Sequence, residues 1–401
     1  MKNFIFISPN FPANYWMFCR ELKKNGLNVL GIGDQPYDEL TADLKNSLNE
    51  YYKVSNLEND DEVYRAVAFF IYKHGRIDWL ESNNEYWLER DARLRTDFNI
   101  TSGFQVSDIP HIKYKSQMKA FYAAAGIPTA RYHMVDTLAN CLEFASQVNY
   151  PVVAKPDNGV GASHTFKIEN SDQMGQFFSL KWPDTSYIME EFVDGEVNSY
   201  DAIIDSKGQP MFETGNITPM SIMDIVNKND NSIFYILKHL PDDTRKAGRA
   251  TVKSFGVKSR FVHFEFFRLL KDQEGLGKKG DLVALEVNMR PSGGVTPDMI
   301  DFAHNTDVYK IWADMIAFDR STMPAGTSSY CAFAGRRDGK AFALSHADIA
   351  EKYRANIKMM ERIPDVLSGA MGNQMYVAVF QSREEMDEFY NDILRCQGPE
   401  V

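Results

Sequence analysis

Apolar and polar positions alternate along the chain with two different periods, and the change between them divides the sequence. Residues 3–8 (NFIFIS) form a short apolar run, followed by a polar, Pro-bounded loop and a helical pattern that lasts to Lys24. NGLNVLGIG then supplies a Gly at a helix end and a second apolar strand, the βαβ signature of a parallel sheet. An aromatic helical stretch at 63–73 precedes the strand IDWLES, so the first hundred or so residues predict a doubly wound α/β unit. Ligands of such sheets sit beyond the carboxyl ends of the strands, here residues 8–10, 31–34 and 82–85. The aromatic segment FPANYWMF near that edge reads as helix packing.

Beyond residue 114 the pattern changes. Residues 115–125 read as a helix closed by Gly126, and PVVAKP as a β-branched strand that runs into the glycine-bearing loop DNGVGASH. TFKIE, YIMEEFV, SYDAIID and PMFETGNI read as further strands, and RFVHFEFFRLL and DLVALEVNMRP as two long ones. This is an α+β body distinct from the first unit. Residues 322–401 hold a strand at 330–333, the strand MYVAVF and an acidic helix from about Ser382, a small third domain or a lid.

Composition narrows the class. With 401 residues, 44% of them hydrophobic, the chain can bury a large core and exceeds the usual size of one domain. A formal charge of −11 and the lack of any long Lys/Arg run exclude nucleic acid as a natural partner. Cys19, Cys141, Cys331 and Cys396 are far apart with no CxxC pair, so they read as reduced thiols. No run reaches the ~18 apolar residues of a membrane span, and NFIFIS is too short for a signal sequence, which predicts a cytoplasmic protein.

Three segments carry candidate chemistry. Side chains in a strand repeat every second residue, so Glu286, Asn288 and Arg290 of LVALEVNMR share one face. Glu265 stands in the apolar strand FVHFEFF, where an unpaired buried carboxylate costs on the order of several kcal/mol. A cation shared with Glu286 would satisfy it, and carboxylate plus amide oxygens suit a hard ion such as magnesium. Plain Glu–Arg pairing on solvated strand faces is the alternative. His263 shares the face of Glu265 and reads either as a core histidine or as a substrate contact. Second, Lys155 opens the glycine loop, where backbone N–H groups and one ammonium can surround phosphates, although Gly159 and Gly161 also suit an ordinary hairpin. The Lys precedes the glycines, so this is not the GxxxxGK[ST] loop, and with no HRD, DFG or GxGxxG a protein kinase is disfavoured. GIGDQP lacks the last glycine of a dinucleotide fingerprint. Third, MEEFVDGE (189–196) can offer backbone groups to a purine edge and a carboxylate to ribose, or can be surface acids at a turn.

In this order and spacing the segments resemble the ATP-grasp superfamily over nearly the whole chain. SNNE (82–85) looks like the acid-bearing end of that family's first domain, and KYKSQMKAFYAAAGIPTAR like its helix with a phosphate lysine, here Lys115. PVVAKPDNGVGAS resembles its strand lysine and loop, and MEEFVDGE its hinge. NMRPSGGVTPDMIDFAHNTDVY and GAMGNQMYVAVFQSREEM are similar to the carboxylate–amine and L-amino acid ligase branch. The resemblance implies an N-terminal pre-ATP-grasp α/β domain (1–112), a small lid subdomain (113–190), a large subdomain with the metal site (191–321) and a small C-terminal α+β domain (322–401). It implies ATP contacts from Lys115, Lys155, Gly159, Gly161, Ser163, Glu190, Glu191, Phe192, Val193 and Glu196. It implies two Mg²⁺ (or Mn²⁺) ions on Glu265, Glu286 and Asn288, and a transition-state role for Arg290 with Lys155. Glu85, His263, Ser292 and Gly293 are the corresponding substrate candidates. In many relatives the ribose glutamate lies two residues past the hinge glycine, where this chain has Val197, which leaves Glu196 as the candidate. Residues 217–260 carry no family signature. The implied reaction activates a small carboxylate as an acyl phosphate and couples it to an amine, releasing ADP and phosphate, with a homodimer as the assembly common among relatives. An acceptor other than an amine (thiol, bicarbonate or phosphate group) and a non-catalytic nucleotide-binding module are the alternatives.

Overall fold

The structure, a computed structural model, describes residues 1–159, 164–180, 185–219, 230–324 and 326–397, with the side chain of residue 366 left aside. Gly161 and Ser163 lie outside the described residues.

Strands β1 (Asn3–Ile7), β2 (Asn28–Gly33), β3 (Glu50–Lys53) and β4 (Trp79–Glu81) form a parallel sheet in the order β3-β2-β1-β4. Three of them follow the apolar runs in the sequence. β3 does not, because EYYK is half-buried at the sheet edge and carries no apolar alternation. The helix Asp60–His74 covers one face; Asn59 accepts a hydrogen bond from the Glu62 N–H, acids fill its first turn, and Gly75 ends it at φ 80°. Such an end requires a left-handed residue, which glycine adopts without strain.

The second sheet is antiparallel and small. β5 (Tyr132–Met134), β6 (Val152–Pro156), β7 (Phe166–Ile168) and β8 (Tyr187–Glu191) lie in the order β5-β8-β6-β7. One face packs on the helices Leu138–Val148 and Ser171–Ser179 through Val152, Ala154, Met189, Phe144 and Phe177. Its other face carries Val153, Lys155, Ile188 and Glu190.

The third sheet has nine strands among the described residues: β9 (Gly195–Ile204), β10 (Pro210–Thr214), β11 (Asn216–Thr218), β12 (Ser232–Ile236), β13 (Arg260–Leu269), β14 (Leu282–Asn288), β15 (Tyr330–Arg336), β16 (Ile357–Arg362) and β17 (Gln374–Phe380). Their order is β14-β13-β9-β11-β12-β15-β17-β16, with β10 also on β9. PMFETGNI, one run in the sequence, is broken at Gly215, where a Cβ would meet the Ser199 carbonyl oxygen at 2.4 Å. The strands beyond residue 330 continue this same sheet through the β12–β15 ladder.

The first sheet docks on one face of the third. Phe4, Phe6 and Phe18 join Trp312 of the helix Val308–Phe318 and Ile203, Phe261 and Phe333 of the large sheet in one apolar core. Trp312 lies 5.7 Å from the Phe4 ring and 5.0 Å from the Phe18 ring, centroid to centroid. The segment FPANYWMF does pack, with Tyr15 and Phe18 buried. Cys19, Cys141 and Cys331 are buried free thiols and Cys396 is exposed. No helix among the described residues is long and apolar enough to cross a membrane.

An ionic network closes the same junction. Glu81, buried at the end of β4, is clasped by Arg260 at the start of β13, lies 3.4 Å from Arg95, and accepts the Ser82 and Asn83 N–H groups at 3.1 and 3.2 Å. Burial alone would raise the Glu81 pKa; the Arg260 and Arg95 guanidiniums outweigh it and hold the carboxyl below its usual range. Removing one member of a buried pair leaves its partners uncompensated, so Glu81→Ala is expected to lower the unfolding free energy by about 3–5 kcal/mol. A urea titration checks this, and a loss of no more than about 1 kcal/mol, the size of an exposed pair, would refute the network's role.

Candidate active site

The metal-ligand candidates lie on adjacent strands. β13 and β14 pair with Glu265 opposite Glu286 and His263 opposite Asn288. Between Phe266, which faces Ala284, and Glu265 the register slips by one residue, so Leu285 is the extra residue of a bulge. The bulge sets Glu286, not Leu285, across from Glu265. It also turns Ala284 to the opposite face, where it packs with Phe266 and Phe264. Glu265, Glu286, His263 and Asn288 thus share the sheet face on which the first domain docks.

Each of these groups has a defined neighbour. The Lys115 ammonium lies 3.2 Å from Glu286 Oε2 and donates to the Gly159 carbonyl at 2.9 Å, so it joins the carboxylates to the base of the glycine loop. Burial works against ionisation of Glu286, but Lys115 and Lys155 outweigh it and bring its pKa to about 2. Arg290 donates to Asn288 Oδ1 at 3.3 Å and to the Pro291 carbonyl at 2.8 Å, and its Nε is 3.9 Å from Glu85 Oε2. Glu85 is buried and 4.0 Å from Lys113; burial pushes its carboxyl up, with Arg290 and Lys113 pulling the other way. Ser292 is buried just after Arg290, and the Gly293 carbonyl accepts from Thr296 Oγ1 at 2.8 Å at the start of the helix Thr296–His304.

His263 is neither a bare core histidine nor free. Its Nδ1 lies 2.8 Å from Asp201 Oδ1 and its Nε2 3.4 Å from Glu265 Oε1, and Ser199 Oγ donates to Asp201. Burial favours the neutral ring, yet Asp201 and Glu265 raise its pKa to about 10, so the imidazolium stays charged at neutral pH.

The small antiparallel sheet contributes a cluster of opposite charge. Lys155 lies 2.6 Å from Glu190 Oε2, and Lys119 clasps the other oxygen of the same carboxylate. Burial opposes the ionised form of Glu190; the two ammoniums outweigh it and bring its pKa to about 2. Lys155 itself is pushed down by burial, with Glu190 pulling it back. Lys119 escaped the sequence reading although it lies four residues after Lys115 on one helix face, a spacing that was legible. Asp157 was also missed: its side chain accepts the Ser116 N–H at 2.7 Å and the Ser116 hydroxyl at 2.8 Å, and its carbonyl the Lys115 N–H at 2.9 Å. It thereby caps the helix Lys115–Ala124, whose own N-cap residue, Tyr114, makes no side-chain cap.

At the hinge, Gln273 donates to the Phe192 carbonyl at 3.0 Å and accepts the Asp194 N–H at 2.7 Å. Val193 packs with Ala130, Leu269, Leu276 and Val283, an apolar wall beside the cleft. Gly195 is required by close approach, since a Cβ there would meet Phe267 Cβ at 2.8 Å.

Two candidates are not brought into this group. Glu191 points to the other face of β8, where Arg131 grips it through its backbone N–H at 2.6 Å and its guanidinium at 2.6 and 3.0 Å. Glu196 pairs across β9–β13 with Arg268, so alternation puts its side chain on the face opposite Glu265. The reason in both cases is strand parity, which the sequence does not reveal until pairing is known.

The donor set passes a chemical test for a divalent cation. Two carboxylates from directly paired residues face each other, and an amide oxygen follows two positions on. Like charges directly opposite are destabilising, and hard oxygen donors match magnesium.

No family model matches the chain. A curated relative, the L-arginine-specific L-amino acid ligase of Bacillus subtilis, is 23% identical over 321 residues, 77% of this chain and 74% of that protein. The crystal structure of an L-amino acid ligase from Bacillus licheniformis superposes with a TM-score of 0.70 at 15% identity, covering 98% of this chain and 97% of that one. An ADP complex of N5-carboxyaminoimidazole ribonucleotide synthetase gives 0.69 at 11% identity, covering 97% and 95%. The chain therefore shares its overall fold with these ligases, and its sequence is similar to that of an L-amino acid ligase.

The Glu190 clamp has a pH signature. A carboxyl whose folded pKa is depressed contributes stability above its unfolded pKa and loses it as pH falls through the folded one. Glu190→Gln is therefore expected to be less stable than the parent at pH 7, with the gap closing from about pH 4.5 towards about pH 2. Urea unfolding at a series of pH values measures it, and a gap that is constant with pH would contradict the clamp.

Proposed function

We propose that the protein is a carboxylate–amine ligase that activates a small carboxylate, such as an amino acid, as an acyl phosphate and couples it to an amine. The observation that carries this reading is the meeting of Glu265, Glu286, Asn288 and Arg290 with Lys115 and the base of the glycine loop in one cleft. Its likeness to L-amino acid ligases supports the substrate class.

Phosphoryl transfer is largely a matter of positioning and charge neutralisation. Lys115 and Lys155, on elements tied together through Asp157, hold the phosphates of ATP. Glu265, Glu286 and Asn288 would hold magnesium, which when bound would neutralise charge on the triphosphate. Asp201 and His263 keep Glu265 oriented towards that position. Arg290 offers its planar fork to the transferring phosphoryl group. A carboxylate oxygen of the substrate attacks the γ-phosphorus and ADP leaves. The amine then attacks the acyl carbon, inorganic phosphate departs, and the amine loses its proton. Glu85, beside Arg290 and with a carboxyl raised by burial, faces the substrate end of the cleft. Phe192 and Val193 border the adenine side. Glu191 and Glu196, turned away, have no part in this scheme.

The test is incubation of the purified protein with MgATP and pooled small carboxylates and amines, scoring ADP and phosphate release and the product by mass. Amide formation is expected. Glu286→Gln and Arg290→Ala are each expected to reduce turnover by at least about a thousandfold while leaving the fold intact by circular dichroism. Near-normal turnover in either variant, or ATP consumption without an amide, would overturn the assignment.

A further inference from the structure

Where β15, β16 and β17 end, the surface carries an open depression of about 330 Å³. Cys331 and Phe333 of β15 lie in the core on the Glu265 side of the sheet, whereas Ala332 and Ala334 pack on the opposite side with Tyr376. Arg336, two residues further, belongs by alternation to that opposite side.

The lining is strongly cationic. Arg336, Arg337, Lys340, Arg362 and His346 border the depression, and Asp338 is the acid among its lining residues. Asp338 is engaged by both terminal nitrogens of Arg362, at 2.8 and 2.6 Å, and Lys340 reaches Asp230 at 2.6 Å.

Arg336 is the unusual member. It is only 5% exposed, with its guanidinium 4.2 Å from the Phe342 ring and 5.4 Å from the Tyr376 ring. It donates to the Ile393 and Leu344 carbonyls at 2.6 and 3.0 Å, but its Nη2 has no hydrogen-bond partner. No carboxylate among the described residues forms an ion pair with it. Burial holds it below the usual arginine range, with the Tyr376 hydroxyl and the Cys396 thiol pulling the other way and no carboxylate beside it. A buried guanidinium without an anion is costly, and an arginine fork bordering a depression is a standard receptor for an oxyanion.

We propose that this depression binds a phosphate group, free or carried by a small molecule, at a site separate from the ATP cleft. Charge selects the class. Asp338 and Asp230 offset two of the four permanent cations, and the remaining two match the charge of about −2 on a phosphate near neutral pH. A monocarboxylate would leave one cation unmatched. The Phe342 and Tyr376 rings among the lining give an organic phosphate apolar surface as well.

Calorimetric titration of the intact protein with inorganic phosphate, and separately with glycerol phosphate, tests the idea. Binding is expected in the parent and in Lys155→Gln, which alters only the cleft. It is expected to weaken about tenfold in Arg336→Gln and about threefold in Lys340→Gln, whose half-exposed side chain poses no threat to folding. Tighter binding of glycerol phosphate assigns a phosphomonoester, and tighter binding of inorganic phosphate assigns the free ion. No heat at millimolar ligand, or binding lost in Lys155→Gln and unchanged in both Lys340→Gln and Arg336→Gln, overturns the proposal.

Discussion

Two carboxylates meet across the β13–β14 ladder, and the cleft is built around making that meeting tolerable. Left alone, Glu265 and Glu286 would repel one another on a sheet face that is largely withdrawn from water. Their proximity is imposed by backbone pairing, which β14 cannot adjust without giving up its ladder. The bulge at Leu285 fixes the register, and the surrounding charges then compensate for it. Lys115 reaches Glu286 from the helix beside the sheet edge, and His263, held cationic by Asp201, stands against Glu265.

That constraint propagates outward through the chain. The helix that carries Lys115 is capped by Asp157, which follows β6 directly, so the position of Lys115 depends on the strand that carries Lys155. Arg260 starts β13 and is locked to Glu81 at the end of β4, which ties the acid-bearing loop of the first domain to the strand of Glu265. The same guanidinium donates to the Met289 carbonyl at 3.3 Å, next to Arg290. Three sheets therefore present their chemistry at one junction.

Much of this was legible in the amino-acid sequence. NFIFIS, PVVAKP, FVHFEFF and LVALEVN announced strands by their apolar content, and the period of two correctly grouped Glu286 with Asn288. What escaped the reading depends on partners distant in the chain. Strand parity decided that Glu191 and Glu196 face away, and parity follows from pairing with Arg131 and Arg268 rather than from local pattern. β3 escaped because an edge strand with polar ends shows little alternation. The strands after residue 330 look like a separate unit in sequence but hydrogen-bond to β12, some hundred residues earlier. Lys119 is a different case, since helical spacing from Lys115 placed it and only its acidic partner was hidden.

The clamp on Glu190 bears on how the cleft would choose among nucleotides. Its two ammoniums are already matched by an internal anion, so an incoming polyanion gains only the difference between its own contacts and those it displaces. A singly charged visitor offers little improvement over a buried carboxylate held at hydrogen-bond distance. A triphosphate, with several oxygens to distribute among Lys115, Lys119 and Lys155, can exceed it. On the proposed reading the cleft sets a threshold of ligand charge, and occupancy by orthophosphate or a mononucleotide would be suppressed without any steric barrier.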